Sequence, residues 1–164
     1  MACSQTLCGL TSDCSASMGG IKRVWIADYK EGAATTIADG KITAFSGDTD
    51  WKEYYIRKNT GSMTSTLNVD PANGVNYVST ELSLVFTKQE TVKRIEMSAL
   101  VLSDVMCVVE DANSTKWFLG KDGPCISTAA GAETGVNKQD GNKYTLTITS
   151  EDITFPLEVT ASME

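Results

Sequence analysis

The chain has 164 residues and a mass of 17.6 kDa, the size of a single domain with one hydrophobic core. Its net charge of −7 arises within residues 61–164, which contain seven Lys or Arg and fourteen Asp or Glu. An acidic chain without a basic cluster is a poor nucleic-acid binder, because such binding depends on cations that neutralise phosphates. The same charge also favours solubility alone.

No membrane segment or secretion signal is predicted. No apolar run approaches the roughly 18 residues that a transmembrane helix needs. Residues 1–6 lack a positive region followed by a long apolar block, so no Sec signal is expected. We therefore expect the chain to be made and folded in a cytoplasm, without a membrane partner.

Residues 1–20 are small and polar and end in a Gly-Gly pair, which predicts an N-terminal arm before a single β domain at residues 21–164. The arm contains Cys3, Cys8 and Cys14. Their C-x4-C-x5-C spacing is not a zinc signature, and the chain has no histidine. Reduced thiols in a flexible or docked arm are the favoured interpretation, since a cytoplasm keeps thiols reduced. A structural metal site with a fourth ligand, or oxidation, is the alternative.

Short alternating segments after the arm predict strands at residues 21–29, 41–46 and 51–59. The Asp39-Gly40 pair between apolar residues predicts a tight hairpin. The loop at residues 47–50 contains two aspartates, but the sequence does not supply the other ligands of a calcium loop. We expect a solvated loop there.

A long β-hairpin is predicted next, with arms at residues 60–69 and 76–86. The second arm alternates most clearly, and its apolar face consists of Val78, Leu82, Leu84 and Phe86. The turn between the arms combines residues that favour tight turns: Asp70, Pro71, Ala72, Asn73 and Gly74. The opposite face cannot be core, so it meets bulk water or lines something wet. Its members are Ser62, Thr64, Thr66, Asn68, Ser79, Glu81 and Ser83.

One helix is predicted, at about residues 88–102. Thr87 followed three residues later by Glu90 fits a capping box. A helix of about fifteen residues is marginal alone, so it must dock on the sheet. The apolar residues at helical spacing, which predict the docking face, are Val92, Ile95, Ala99 and Leu102.

The remaining chain is again β in character, with strands predicted at residues 105–110, 115–119, 142–150 and 155–160. The first of these contains Cys107, expected as a small core residue. Residues 128–141, rich in Ala, Gly, Asn and Asp, are predicted to form a long surface loop. One helix among about eight strands predicts a mainly β fold, an antiparallel sandwich or barrel with one packed helix and a long hairpin.

The sequence contains no recognisable catalytic motif. Without histidine the chain can form neither a Ser-His nor a Cys-His pair, nor an ordinary metal centre. It has no nucleophile elbow, phosphate loop or dinucleotide fingerprint. Carboxylates are plentiful, but their spacing singles out no pair. We therefore expect a protein that is not an enzyme and uses no cofactor or metal.

Six segments occur in an order that resembles a known family. They are residues 19–28 (GGIKRVWIAD), 82–86 (LSLVF), 92–97 (VKRIEM), 108–111 (VVED), 116–120 (KWFLG) and 144–148 (YTLTI). With these segments the chain resembles small virion proteins of tailed bacteriophages and prophages of gut Bacteroidales. Their arrangement is similar to that of phage tail tube (major tail) proteins. The resemblance covers nearly the whole chain.

The resemblance implies a virion structural protein that assembles with itself. Tail tube proteins form stacked homohexameric rings, in which each subunit gives a sheet to an inner barrel that conducts DNA. The polar hairpin face would then line the lumen, and the arm or the turn at residues 70–74 would contact the next ring. The implied partners are other copies, a tape measure protein and a tail terminator, while DNA passes without specific binding. The implied location is the virion tail, assembled in the host bacterial cytoplasm.

Three alternatives stay open. The polar faces could meet bulk solvent in a monomeric β domain. The chain could be another virion component: a head-to-tail joining ring, a tail terminator or a capsid decoration protein. It could also form the inner tube of a contractile injection system, which shares the architecture and conducts no genome.

Overall fold

The structure, a computed structural model, describes residues 7–163. It is a mainly β antiparallel sandwich with one helix, which confirms the predicted fold class. Residues 7–19 contain no helix or strand. The elements are β1 (Ile21–Asp28), β2 (Ala34–Ala38), β3 (Lys41–Phe45), β4 (Lys52–Tyr55), β5 (Ser62–Asp70), β6 (Val75–Thr87), α1 (Thr91–Leu102), β7 (Val105–Asp111), β8 (Lys116–Leu119), β9 (Ile126–Glu133), β10 (Lys143–Asp152) and β11 (Leu157–Val159).

The strands form two sheets. A seven-stranded sheet has the order β2-β3-β11-β8-β7-β1-β4, and a four-stranded sheet has the order β5-β6-β10-β9. Every pairing is antiparallel except that of β11 with β3. The main core lies between the sheets and excludes water from apolar side chains of both, among them Val24, Leu82, Leu84, Cys107, Leu146 and Ile148.

The seven-stranded sheet is covered on its other face as well. Alternate residues of β1 point to opposite faces, so Trp25 belongs to a second cluster while Val24 belongs to the main core. In that second cluster Phe45 packs against Trp51 and Phe118, with ring centroids 5.1 and 5.3 Å apart. This arrangement explains why β1 is apolar at both parities.

Two turns match the expectations from sequence. Asp39 and Gly40 join β2 to β3 with φ values of 52° and 74°, the left-handed backbone that a two-residue hairpin needs. The predicted long hairpin is present as β5 and β6, paired from Ser62 opposite Ser83 to Asp70 opposite Val75. Its register determines which residues share a face.

The predicted start of the helix is wrong. Helix α1 begins at Thr91, and its N-cap residue Glu90 makes no side-chain capping hydrogen bond. Thr87 is instead the last residue of β6, where it pairs with Lys143. Because the helix begins at Thr91, Thr87 lies three residues before the N-cap position and does not cap the helix.

The predicted docking face of the helix is also wrong. Val92, Ile95, Ala99 and Leu102 are exposed, and the buried residues are Met97 and Leu100. Two polar contacts fix this rotation: Glu96 accepts a hydrogen bond from the Tyr54 hydroxyl, and the Leu100 carbonyl accepts one from Ser127 Oγ at 3.2 Å. The helix carries two apolar stripes. The stripe that contains Met97 and Leu100 leads towards buried Val105 and packs on the core, whereas the predicted stripe is exposed.

Part of the predicted surface loop at residues 128–141 is a strand. Strand β9 pairs with β10 from Ile126 opposite Thr149 to Glu133 opposite Lys143. Ala and Gly are poor strand formers, which is why the composition indicated a loop. The segment forms a strand because the backbone of β10 supplies its hydrogen-bond partners, and this pairing cannot be read from composition alone.

Two neighbouring leucines test the orientation of the helix. Leu100 is 6% exposed and Leu102 is 88% exposed. We expect Leu100→Ala to lower the free energy of unfolding by about 2–4 kcal/mol, because it leaves a cavity in the core. Leu102→Ala is the matched control and should change it by less than about 0.5 kcal/mol. Urea denaturation followed by tryptophan fluorescence measures both, and the reverse ranking would contradict the observed packing.

Candidate functional site

The seven polar residues singled out in the hairpin lie together on one face of the four-stranded sheet. Ser62 is opposite Ser83, Thr64 is opposite Glu81 and Thr66 is opposite Ser79, while Asn68 is opposite Tyr77. All of them are exposed or half-buried. The structure therefore brings this predicted set together.

Strand β10 widens the same face. Its register places Thr147 opposite Ser83, Thr149 opposite Glu81 and Glu151 opposite Ser79. The alternation of threonine in this segment was visible in the sequence, but its pairing with β6 was not. We call the combined surface the polar face, and it consists of Ser62, Thr64, Thr66, Asn68, Tyr77, Ser79, Glu81, Ser83, Thr145, Thr147, Thr149 and Glu151.

The polar face continues onto β9 with small side chains. Ala129 is opposite Thr147 and Gly131 is opposite Thr145. The hydroxyl groups of Thr128 and Thr149 are 3.0 Å apart and share a hydrogen bond. The result is a surface four strands wide, whose large apolar side chains lie towards its margins: Val85 opposite Thr145, beyond the end of the β5 pairing, and Ile126 opposite Thr149 on the outer strand.

The other side of the interior strands β6 and β10 is buried in the core. Leu82, Leu84 and Ile148 are fully buried there. Polar residues on this side are also accommodated, since Thr80 and Ser65 share a hydrogen bond of 2.9 Å between their hydroxyl groups, and the Ser150 hydroxyl donates to Asp152 at 2.8 Å. A register slip of one residue would exchange the two faces, so the polar face is fixed by the burial behind it.

The charge of the polar face is negative. Glu81 is exposed, and the residues directly opposite it on both neighbouring strands are threonines. Lys143 is the one basic residue in the four strands, all of which the structure describes. Its Nζ lies 3.1 Å from a carboxylate oxygen of Glu133. The face therefore offers no unpaired cation to a passing polyanion.

The two outer strands of this sheet are open edges, and the pairing of β9 with β10 shifts register at Thr128. Strands β5 and β9 each pair on one side only. Neither contains proline, and the charged residue of each, Asp70 and Glu133, is its last. Long neutral edges of this kind are templates for pairing with another chain, and monomeric proteins usually block them with charge, proline or a covering segment.

The hairpin turn is held by the side chain of Asp70. Its carboxylate accepts hydrogen bonds from the Asn73 side chain at 2.6 Å and from the Ala72 amide at 3.0 Å. These bonds hold the pKa of Asp70 below its usual range. Gly74 completes the turn with φ of 67°, and the turn residues Pro71 to Gly74 are exposed.

The remaining candidate sites do not assemble into a centre. Cys8 and Cys14 are exposed, while Cys3 lies outside the described residues. Within residues 7–163 no three His, Cys, Asp or Glu side chains are grouped closely enough to hold a metal ion.

In the 47–50 loop, hydrogen bonds from Lys30 and Ser46 lower the pKa of Asp48 to about 2. Over the same described residues, no helix has the length and apolarity to cross a membrane.

A lysine placed opposite Glu81 tests the register of the polar face. We expect Thr64→Lys to raise the free energy of unfolding by about 0.2–1 kcal/mol, since opposite charges directly across a strand pair attract each other. The gain should shrink in 1 M salt, which screens exposed charges. The matched control is Thr64→Lys in a Glu81→Gln background. An equal gain in that background, measured by urea denaturation, would argue against the cross-strand contact.

No protein-family model matches the chain, and no curated protein matches it. The structural features that bear on function are the polar face, the core behind its two interior strands and the two open edges.

Proposed function

We propose that this chain is a virion structural protein that assembles into stacked rings and forms the tail tube through which phage DNA passes. The observation that carries the proposal is the four-stranded sheet, whose interior strands are buried on one side and polar on the other, and whose edges are both open. The hexameric order of the ring and the tail partners rest on the sequence resemblance.

The two open edges are compatible with each other. Strands β5, β6, β10 and β9 alternate in direction, so β5 and β9 run in opposite directions. Strand β5 of one copy can therefore join β9 of the next in an antiparallel ladder without turning the sheet over. Such a contact uses a different surface on each partner, and its repetition closes into a ring when the rotation fits. Closure removes every open edge.

The position of the second sheet favours a polar lumen. The seven-stranded sheet lies on the apolar side of the four-stranded sheet, so the subunit is bulky on that side. A ring of such subunits accommodates its bulk on the outside, and the polar face then lies inside. Six copies of a four-stranded sheet give 24 strands, whereas barrels of about 16–18 strands already enclose an aqueous channel.

The chemistry of the polar face suits a channel for DNA. A fixed unpaired cation would bind phosphate and slow the passage of the duplex. The face has hydroxyl groups and two uncompensated glutamates, Glu81 and Glu151, and the lysine at its margin, Lys143, is paired with Glu133. Hydroxyl groups and water can exchange hydrogen bonds at little cost, so the duplex meets a wet, weakly repelling wall.

Assembly of the purified protein is the first test. We expect rings or tubes in negative-stain micrographs at high protein concentration. Thr66→Lys on edge strand β5 should reduce assembly, because edge lysines hinder the addition of strands. Ser83→Lys on interior strand β6 of the same face is the matched control and should still assemble. A wild-type protein that sediments as a monomer of 17.6 kDa at all concentrations, alone and with its tail partners, would overturn the proposal.

Charge reversal in the lumen is the second test. In a phage that carries this gene, Glu81→Lys should leave tails of normal appearance while DNA delivery falls, because each ring would present a circle of cations to the phosphates. Glu81→Gln is the control and should deliver DNA normally. Plaque counts and electron microscopy of the tails measure the two effects separately. Normal infectivity of Glu81→Lys with normal tails would place Glu81 outside the channel.

A further inference from the structure

An open apolar groove lies between helix α1 and strand β9. Arg94, Ser98 and Val101 line it from the helix, and Ala130 and Ala132 line it from the strand. Its volume is about 410 Å³. It is separate from the polar face, because Ala130 and Ala132 are opposite core-facing residues of β10 and so lie on the reverse side of the sheet.

Strand β5, at the other edge of the same sheet, carries apolar residues that its own molecule leaves uncovered. Leu67 and Val69 belong to the core-facing parity of β5, yet they are 47% and 58% exposed. Val78, directly opposite Leu67 on β6, is 1% exposed. The core therefore ends at β6 in this part of the hairpin, and the apolar side of β5 extends beyond it.

We infer that the groove between α1 and β9 receives Leu67 and Val69 from β5 of a second copy of this chain. The inference rests on the proposed ring assembly and states where its subunit contact lies. An added strand would run about 4.8 Å from β9, which places its core-facing side chains under the flank of α1. The helix and β9 would then hold the incoming strand from two sides.

The register of the two strands supports this occupant. Between Ala129 and Glu133, on one side of the register shift in β9, the odd-numbered residues lie on the polar face. The polar face is therefore continuous across the junction only if even-numbered β5 residues are opposite these odd-numbered residues. In such a register Leu67 opposite Ala132 places Val69 opposite Ala130, so both apolar residues meet the two alanines that line the groove. The β9 side chains are small here and the β5 side chains are large, so the two surfaces complement each other in size.

The groove also accounts for exposed apolar residues of the helix. Val101 and Leu102 line it and are exposed in the single chain. Val92 is also apolar and exposed, but it does not line the groove. We therefore expect Val101 and Leu102 to contribute to the subunit contact and Val92 not to contribute.

A charge-swap experiment on the full-length protein tests the contact. Leu67→Asp and Val101→Lys should each raise the concentration needed for assembly about tenfold or more, because each places an unpaired charge in an apolar junction. The double variant should recover much of the loss, since the two charges would then face each other. Val92→Asp is the matched control and should assemble like the wild type. Assembly is followed by sedimentation velocity and negative-stain microscopy.

A second variant avoids any effect of a charge on folding. Ala130 is exposed in the single chain, so Ala130→Phe should leave the thermal unfolding of the monomer unchanged while it fills the groove and blocks assembly. If the wild type forms rings and Leu67→Asp, Val101→Lys and Ala130→Phe do so equally well, the groove inference is overturned and the tube proposal stands. If the wild type never assembles, the tube proposal itself fails, and the groove inference fails with it.

Discussion

The fold depends on the strict two-residue alternation of strand β6 and its neighbour β10. One side of these strands must be apolar enough to form the core with the seven-stranded sheet, and the other side carries hydroxyl groups and glutamates. Because successive side chains point to opposite faces, neither side can be changed by a shift of register without burying the polar row. The shape of the core and the chemistry of the polar face are consequences of one pairing.

The sequence was sufficient where local pattern and final environment agree. The alternation of residues 76–86, the turn at residues 70–74 and the Asp39-Gly40 hairpin predict their own structures, since each signal depends on neighbours in the chain. The seven polar hairpin residues were identified for the same reason. The matching face of β10 was visible as a pattern, but only tertiary pairing places Thr147 and Thr149 beside Ser83 and Glu81.

The sequence was insufficient where a choice depends on distant residues. Helix α1 offers two apolar stripes, and spacing alone does not reveal that Met97 and Leu100 are the buried pair. Strand β9 has the composition of a loop, and β10 supplies its hydrogen-bond partners from farther along the chain. Both errors concern the same region, the edge of the four-stranded sheet at which the groove opens. The single chain leaves apolar side chains at this open edge exposed, so their local pattern does not match their surroundings.

The hydroxyl pair of Ser65 and Thr80 has a consequence for how this sequence can evolve. Thr80 is 1% exposed, and its hydroxyl group has Ser65 as its partner across the strands. Replacing one of the two by an apolar residue leaves the other hydroxyl group without its partner, which lowers stability. Replacing both together avoids this loss. The two positions should therefore covary among relatives of this chain, as two hydroxyl residues or as two apolar ones. Intermediates that carry only one of the changes should be rare.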